Sequence, residues 1–179
     1  KLLAEWASIM GKIWFHIGSP KTGTTCLQTF LKENADELRE QGNLNYVSAG
    51  RAHIAHNKLA SAARMGEAER VFNNIGREAD ALPDATHIVS SELLFNSYTA
   101  RKVAQTVPDH IKKRGKVICY VRRQDSYLEA LYKQLLKNSR IKPDRQAFLG
   151  DARRLVRYLD TLNSYSAIFG DENVIVRPY

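Results

Sequence analysis

Cysteine is scarce in this chain: Cys26 and Cys119 are the only two in 179 residues. Two thiols build no disulfide framework. Each sits in an apolar segment, so both read as buried thiols in a reducing, cytoplasmic setting. Together with the five histidines they show no metal-ligand spacing, so no metal is expected. Long apolar runs are also missing. Nothing approaches the roughly 18 residues of a membrane span. The stretch Lys1 to Met10 is mildly apolar, but Glu5 interrupts it and no small-residue cleavage site follows. Residues 1–11 read as a leader or an added remnant, with Met10 as the natural start, and residues 12–179 as one α/β domain. Acidic residues are the third shortage, 19 against 27 Lys and Arg, for a net charge of +8. That balance suits an acidic cofactor, an acidic substrate or nucleic acid. No aromatic-interleaved basic stripe or reader motif is present, so nucleic acid is not the expected partner.

What remains has the proportions of a globular domain: 44% apolar and 26% charged residues. Lys12 to Gly18, K-I-W-F-H-I-G, is short, apolar and closed by glycine, which predicts a buried parallel strand. A helix is expected from Thr24 to Lys32 with Cys26, Leu27, Phe30 and Leu31 on its buried face. Asn34, with Glu37 three residues on, predicts a fresh helix cap, and that helix stops at Gly42. Leu44 to Val47 is a second strand. Residues 48–85 read as polar and helical, punctuated at Gly50, Gly66 and Gly76.

Further strands are predicted at Thr86 to Ser90, Lys116 to Val121 and Asn173 to Arg177. Helices are predicted near Tyr98 to Val107, from an Asp125 cap with a stripe of Leu128, Leu131, Tyr132, Leu135 and Leu136, and near Asp151 to Leu162. Strands alternating with helices imply a three-layer α/β domain: a mostly parallel central sheet flanked by helices. The chain ends at Tyr179 directly after a strand, so a further C-terminal segment is expected.

The most informative segment is Gly18 to Thr25, G-S-P-K-T-G-T-T, between a strand and a helix. Backbone N–H groups and a helix N-terminus converge there on an anion. Gly18 and Gly23 allow a tight turn and close approach, Thr24 and Thr25 add hydroxyl donors, and Lys21 adds the charge. The nucleotide triphosphatase loop G-x-x-x-x-G-K-[ST] puts lysine just after the second glycine. Here Thr24 holds that place and the lysine precedes Gly23 by two. In that rearrangement the segment resembles the 5′-phosphosulfate loop of sulfotransferases that use 3′-phosphoadenosine 5′-phosphosulfate (PAPS), on Pro20, Lys21, Thr22, Gly23, Thr24 and Thr25. The fuller run H-I-G-S-P-K-T-G-T-T is similar to bacterial members.

The resemblance implies a P-loop-like fold, PAPS as donor and no metal requirement. It assigns donor binding to Ser19, Pro20, Lys21, Thr22, Gly23, Thr24 and Thr25. A second family mark is a strand ending in arginine before a helix, gripping the 3′-phosphate. Here that is V-R-R-Q-D-S-Y-L-E-A, with Arg122 first and Arg123 second. The planar guanidinium suits that task. Where the family has a serine eight residues after the arginine, this chain has Ala130, and Ser126 is the candidate replacement. The family's glycine- and lysine-rich C-terminal loop is not found.

Sulfuryl transfer is an in-line displacement, so positioning and charge stabilisation dominate. By resemblance, Lys21 would stabilise the leaving phosphate oxygen. A base must take the proton of a hydroxyl or amine acceptor. His56 is ranked first, since H-x-x-L-A resembles a segment of bacterial relatives. Glu92 follows, at the carboxyl end of a strand, where α/β folds bind ligands. His53 is a third candidate. His16 reads as packed, and Ser90 and Ser91 could orient a ligand. The acceptor class stays open, with a glycan or glycolipid suggested by the resemblance alone. The alternatives are a kinase or triphosphatase with a divergent loop, and a non-catalytic module binding phosphorylated or sulfated ligands.

Overall fold

A computed structural model describes residues 12–138 and 144–179. The leader reading of residues 1–11 lies outside them. Five strands form one sheet: β1 (Ile13–His16), β2 (Leu44–Tyr46), β3 (Thr86–Ser90), β4 (Gly115–Val121) and β5 (Val174–Pro178). All four pairings are parallel, in the order β2-β3-β1-β4-β5. The helices are α1 (Thr24–Glu33), α2 (Ala35–Gly42), α3 (Asn57–Met65), α4 (Ala68–Ala81), α5 (Ser97–Thr106), α6 (Asp109–Lys112), α7 (Gln124–Asn138), α8 (Arg145–Leu155) and α9 (Tyr158–Phe169). This is the α/β architecture expected from the sequence. Among the described residues, no helix is long and apolar enough to cross a membrane.

Period-two alternation sorts the strands onto two faces. Ile13, Phe15, Ile17, Val89, Val117 and Cys119 enter the main core. There they meet Leu59 and Ala63 of α3, Phe72 and Ile75 of α4, Val103 of α5, and Tyr165 and Phe169 of α9. Phe15 stacks on Phe169 and meets the edge of Phe72, with centroids 5.5 and 6.1 Å apart. The opposite face carries Trp14, Ile88, Ile118 and Tyr120. There Leu27 and Leu31 of α1 border an open apolar groove of about 320 Å³.

Several local expectations change. The buried face of α1 is Thr24, Gln28 and Leu31; Cys26 is exposed, and so are Leu27 and Phe30. Gln28 can be buried because its amide donates to Ser90 Oγ. Asn34 gives α2 no side-chain cap; its side chain donates back to Phe30 O and closes the end of α1 instead. Gly76 lies inside α4, where a Cβ would meet His110 Nε2 at 2.8 Å. Helix α7 begins at Gln124, with Asp125 in its first turn ion-paired to Arg123. Tyr127 is its buried residue, while Leu135 and Leu136 are exposed. The helix expected at 151–162 is two helices. Arg157 is non-helical (φ −82°, ψ 64°), and Gln124 Nε2 takes the Val156 carbonyl at the break.

Candidate active site

In a parallel sheet all carboxyl ends lie on one side. The chain leaves β1 toward β2 on one flank and later reaches β4 on the other, so a crevice opens at β1. The loop after β1 occupies it. Ser19 N–H donates to Tyr120 O of β4 at 3.1 Å, and Thr22 Oγ1 donates to Ser19 O at 2.6 Å. Gly18 has no room for a side chain: a Cβ would lie 2.9 Å from His16 Nε2 and from Thr24 Cγ2. Gly23 (φ 69°) turns the chain into α1, whose N-terminus faces the loop.

Lys21 is also left-handed, with φ 68°. A non-glycine residue held there carries strain of about 1 kcal/mol or more, which the surrounding bonds must hold. One of them is from Arg122, whose Nη1 donates to Lys21 O at 3.4 Å. The Arg122 guanidinium also lies 6.0 Å from the centre of the Tyr179 ring. The carbonyl of Arg122 accepts from Tyr158 Oη. Arg123 points elsewhere, locked in a two-point pair with Asp125 at 2.6 and 2.7 Å. That pairing holds the Asp125 carboxyl at about 2, well below its usual range. The backbone N–H of Ser126 is taken by Asp125 Oδ1.

Two clefts flank the loop and share Gly23 and Thr24. The polar one, about 330 Å³, is bordered by Pro20, Lys21, Thr25, Glu92 and Gln134. The aromatic one, about 470 Å³, is bordered by Thr22, Cys26, Phe30, Tyr120 and Tyr179. Glu92 opens a 3-10 turn (Glu92–Leu94) after β3 and accepts a hydrogen bond from Thr24 Oγ1 at 2.5 Å. Lys21 and Glu92 thus line one cleft although 71 positions separate them in the chain (92 − 21).

His56 does not join them. It is fully buried, and both ring nitrogens serve the backbone. Ser90 N–H donates to Nδ1 at 3.0 Å, so Nε2 carries the proton and donates to Val47 O at 2.8 Å. Burial pushes its pKa down to about 4, against a smaller upward pull from the backbone carbonyl of Val47. His53 is exposed, at φ 55°, in the turn closed by the Ala52–Ala55 bridge. His16 is buried, its Nδ1 2.8 Å from Ser90 Oγ, and burial lowers its pKa to about 4. Ser91 Oγ donates to Asn57 and caps the turn that carries Glu92.

Tyr179 and Gln134 escaped the sequence reading. Neither has a local signal: one is a tyrosine after a strand, the other a glutamine three turns into a helix. Among the described residues, no group of three or more His, Cys, Asp or Glu could hold a metal ion.

No protein-family model matches the chain, and no curated protein matches it. Among solved structures, it is similar to a sulfotransferase from Alicyclobacillus acidocaldarius. The TM-score is 0.51 at 16% identity, covering 92% of this chain and 72% of that one. It is also similar to the sulfotransferase domain from the curacin biosynthetic pathway, at a TM-score of 0.46 and 12% identity, over 95% of this chain and 67% of that one. The first likeness is one of fold, and the second is too weak for anything to rest on it.

Proposed function

We propose that this chain is a sulfotransferase that binds PAPS across the β1 loop and passes its sulfuryl group to a hydroxyl or amine acceptor. The observation that carries this reading is the shared cleft. It joins a strained lysine in the loop after β1 to a carboxylate from the turn after β3. The fold likeness to a sulfotransferase supports it.

The loop N–H groups, the α1 N-terminus and the hydroxyls of Thr24 and Thr25 hold the 5′-phosphate. Lys21 neutralises charge growing on the phosphate oxygen as its bond to sulfur breaks. Arg122, at the end of β4, takes the 3′-phosphate. Arg123 has its guanidinium already paired and is set aside. The aromatic cleft suits the flat base, with Tyr179 and Phe30 as its apolar walls. On the polar side the acceptor oxygen or nitrogen attacks sulfur as the sulfur–oxygen bond to phosphate breaks, and Glu92 receives the acceptor proton. Glu92 takes this role ahead of His56, whose nitrogens are both committed to the backbone. A polar cleft lined by Glu92 and Gln134 favours a hydroxyl-rich acceptor, such as a glycan headgroup.

Calorimetric titration with 3′-phosphoadenosine 5′-phosphate, with ATP and magnesium as control, tests the reading. The bisphosphate is expected to bind and ATP to bind weakly. The reverse preference would transfer the site to a kinase or triphosphatase.

A further inference from the structure

The shortest bond in the site joins the two halves of its chemistry. Thr24 begins α1, the helix whose N-terminus faces the loop, and Glu92 lies 68 residues further on, after β3. Thr24 Oγ1 donates to Glu92 Oε2 at 2.5 Å. A threonine hydroxyl has one proton and gives it to one acceptor at a time. Thr24 is 3% exposed, so water offers that proton little competition. The turn that carries Glu92 is held at its backbone. Ser91 accepts the Leu93 N–H at 3.2 Å and donates to Asn57 Oδ1 at 2.7 Å, which holds the turn carrying Glu92. The hydroxyl can leave the carboxylate by turning about one bond, with no movement of the helix or of that turn.

From this contact we infer that Thr24 couples donor binding to the base. Without donor, its hydroxyl is spent on Glu92. When the 5′-phosphate enters the loop, the same proton turns to a phosphate oxygen and Glu92 Oε2 is released to face the acceptor. Thr24 is a positioning residue for the base as well as a donor ligand, and Oε2 is freed only once the donor is in place. This rests on the reading of the loop as the donor site.

The coupling is measurable without turnover. Breaking the Thr24–Glu92 bond is a cost of donor binding, so removing Glu92 removes that cost. It also removes a negative charge near an anion, so the two effects must be separated by a double-mutant cycle. Affinity for 3′-phosphoadenosine 5′-phosphate is measured by calorimetry for wild type, Glu92→Ala, Thr24→Val and the double variant. Glu92→Ala is expected to tighten binding about tenfold when Thr24 is present, and about twofold or less in the Thr24→Val background. Thr24→Ser keeps the hydroxyl and should restore the large response. If Thr24→Val does not fold, Thr24→Ala takes its place. Equal tightening in both backgrounds means charge repulsion alone and overturns the coupling, while the donor site stands. Failure of the wild type to bind the bisphosphate overturns the donor site and the coupling together.

Discussion

Lys21 holds a strained backbone at the position where the proposed chemistry needs a positive charge. Its φ of 68° is disfavoured for a side chain with a Cβ, and the bonds around the loop hold it there. Lys21→Ala should abolish transfer while leaving the thermal midpoint within a few degrees of wild type. Activity near normal in that variant would remove the lysine from the mechanism. Glu92 and His56 are expected to separate cleanly. Glu92→Gln should lower turnover by about two to four orders of magnitude with stability little changed. His56→Ala should instead cost about 2 kcal/mol of stability, because the buried Val47 carbonyl and Ser90 N–H lose their partner. Turnover measured on folded His56→Ala should stay within about tenfold of wild type. A loss as large as that of Glu92→Gln would return the base to His56. The motif around His56 reads alike for a catalytic and a packing histidine; only its two backbone partners distinguish them.

At the scale of elements, periodicity located the helices better than it located their faces. In α1 the apolar residues Leu27 and Phe30 border clefts, and polar Thr24 and Gln28 are buried. The reversal has a physical cause. Glu92 and Ser90, brought from the end of β3, supply hydrogen-bond partners that no neighbour in sequence provides. In α7 the expected stripe is not the buried face: Tyr127 is buried, Leu128, Leu131 and Tyr132 are half-buried, and Leu135 and Leu136 are exposed. The contact between β4 and α9 is closer than either element's sequence suggests. A Cβ at Gly115 would lie 2.3 Å from the Phe169 ring and 3.0 Å from Ile111 O. Gly115→Ala should therefore cost about 1–3 kcal/mol, measured by urea denaturation, since neither ring nor backbone has space to yield. An unchanged denaturation midpoint would mean that this junction is loosely packed.

For the whole molecule, buried histidines set the acid limit. His16 and His56 both have pKa values near 4 because burial disfavours the charged ring. In the unfolded chain each would titrate near 6.5, so between about 6.5 and 4 the unfolded state binds more protons. The stabilisation is complete above pH 6.5 and is lost as pH falls toward 4. Two such groups together contribute several kcal/mol, on the order of 3 each. For Glu78, burial alone would raise the carboxyl, but hydrogen bonds from Ser48, Asn45 and Ala49 outweigh it and hold it low, which adds to the loss in acid. The thermal midpoint is expected to be flat from pH 7 to 8 and to fall steeply below pH 6. A midpoint that held steady down to pH 5 would show these rings charged in the fold.

The sequence by itself determined the alternation of strands and helices, the loop from Gly18 to Thr25 and the arginine at the end of a strand. Each is written locally, in hydrophobic period and turn chemistry acting over a few residues. Tertiary structure decided that Glu92 and not His56 shares a cleft with Lys21, which side of α1 is buried, where Tyr179 and Gln134 meet the loop, and that Arg123 pairs with Asp125 while Arg122 reaches the Lys21 carbonyl. Most of these depend on contacts between residues tens of positions apart, such as the 68 between Thr24 and Glu92. The Arg123–Asp125 pair, local though it is, depends on side-chain directions that residue spacing alone leaves open. The long-range contacts exist because strands β1, β3 and β4 lie side by side in an order different from their order in the chain.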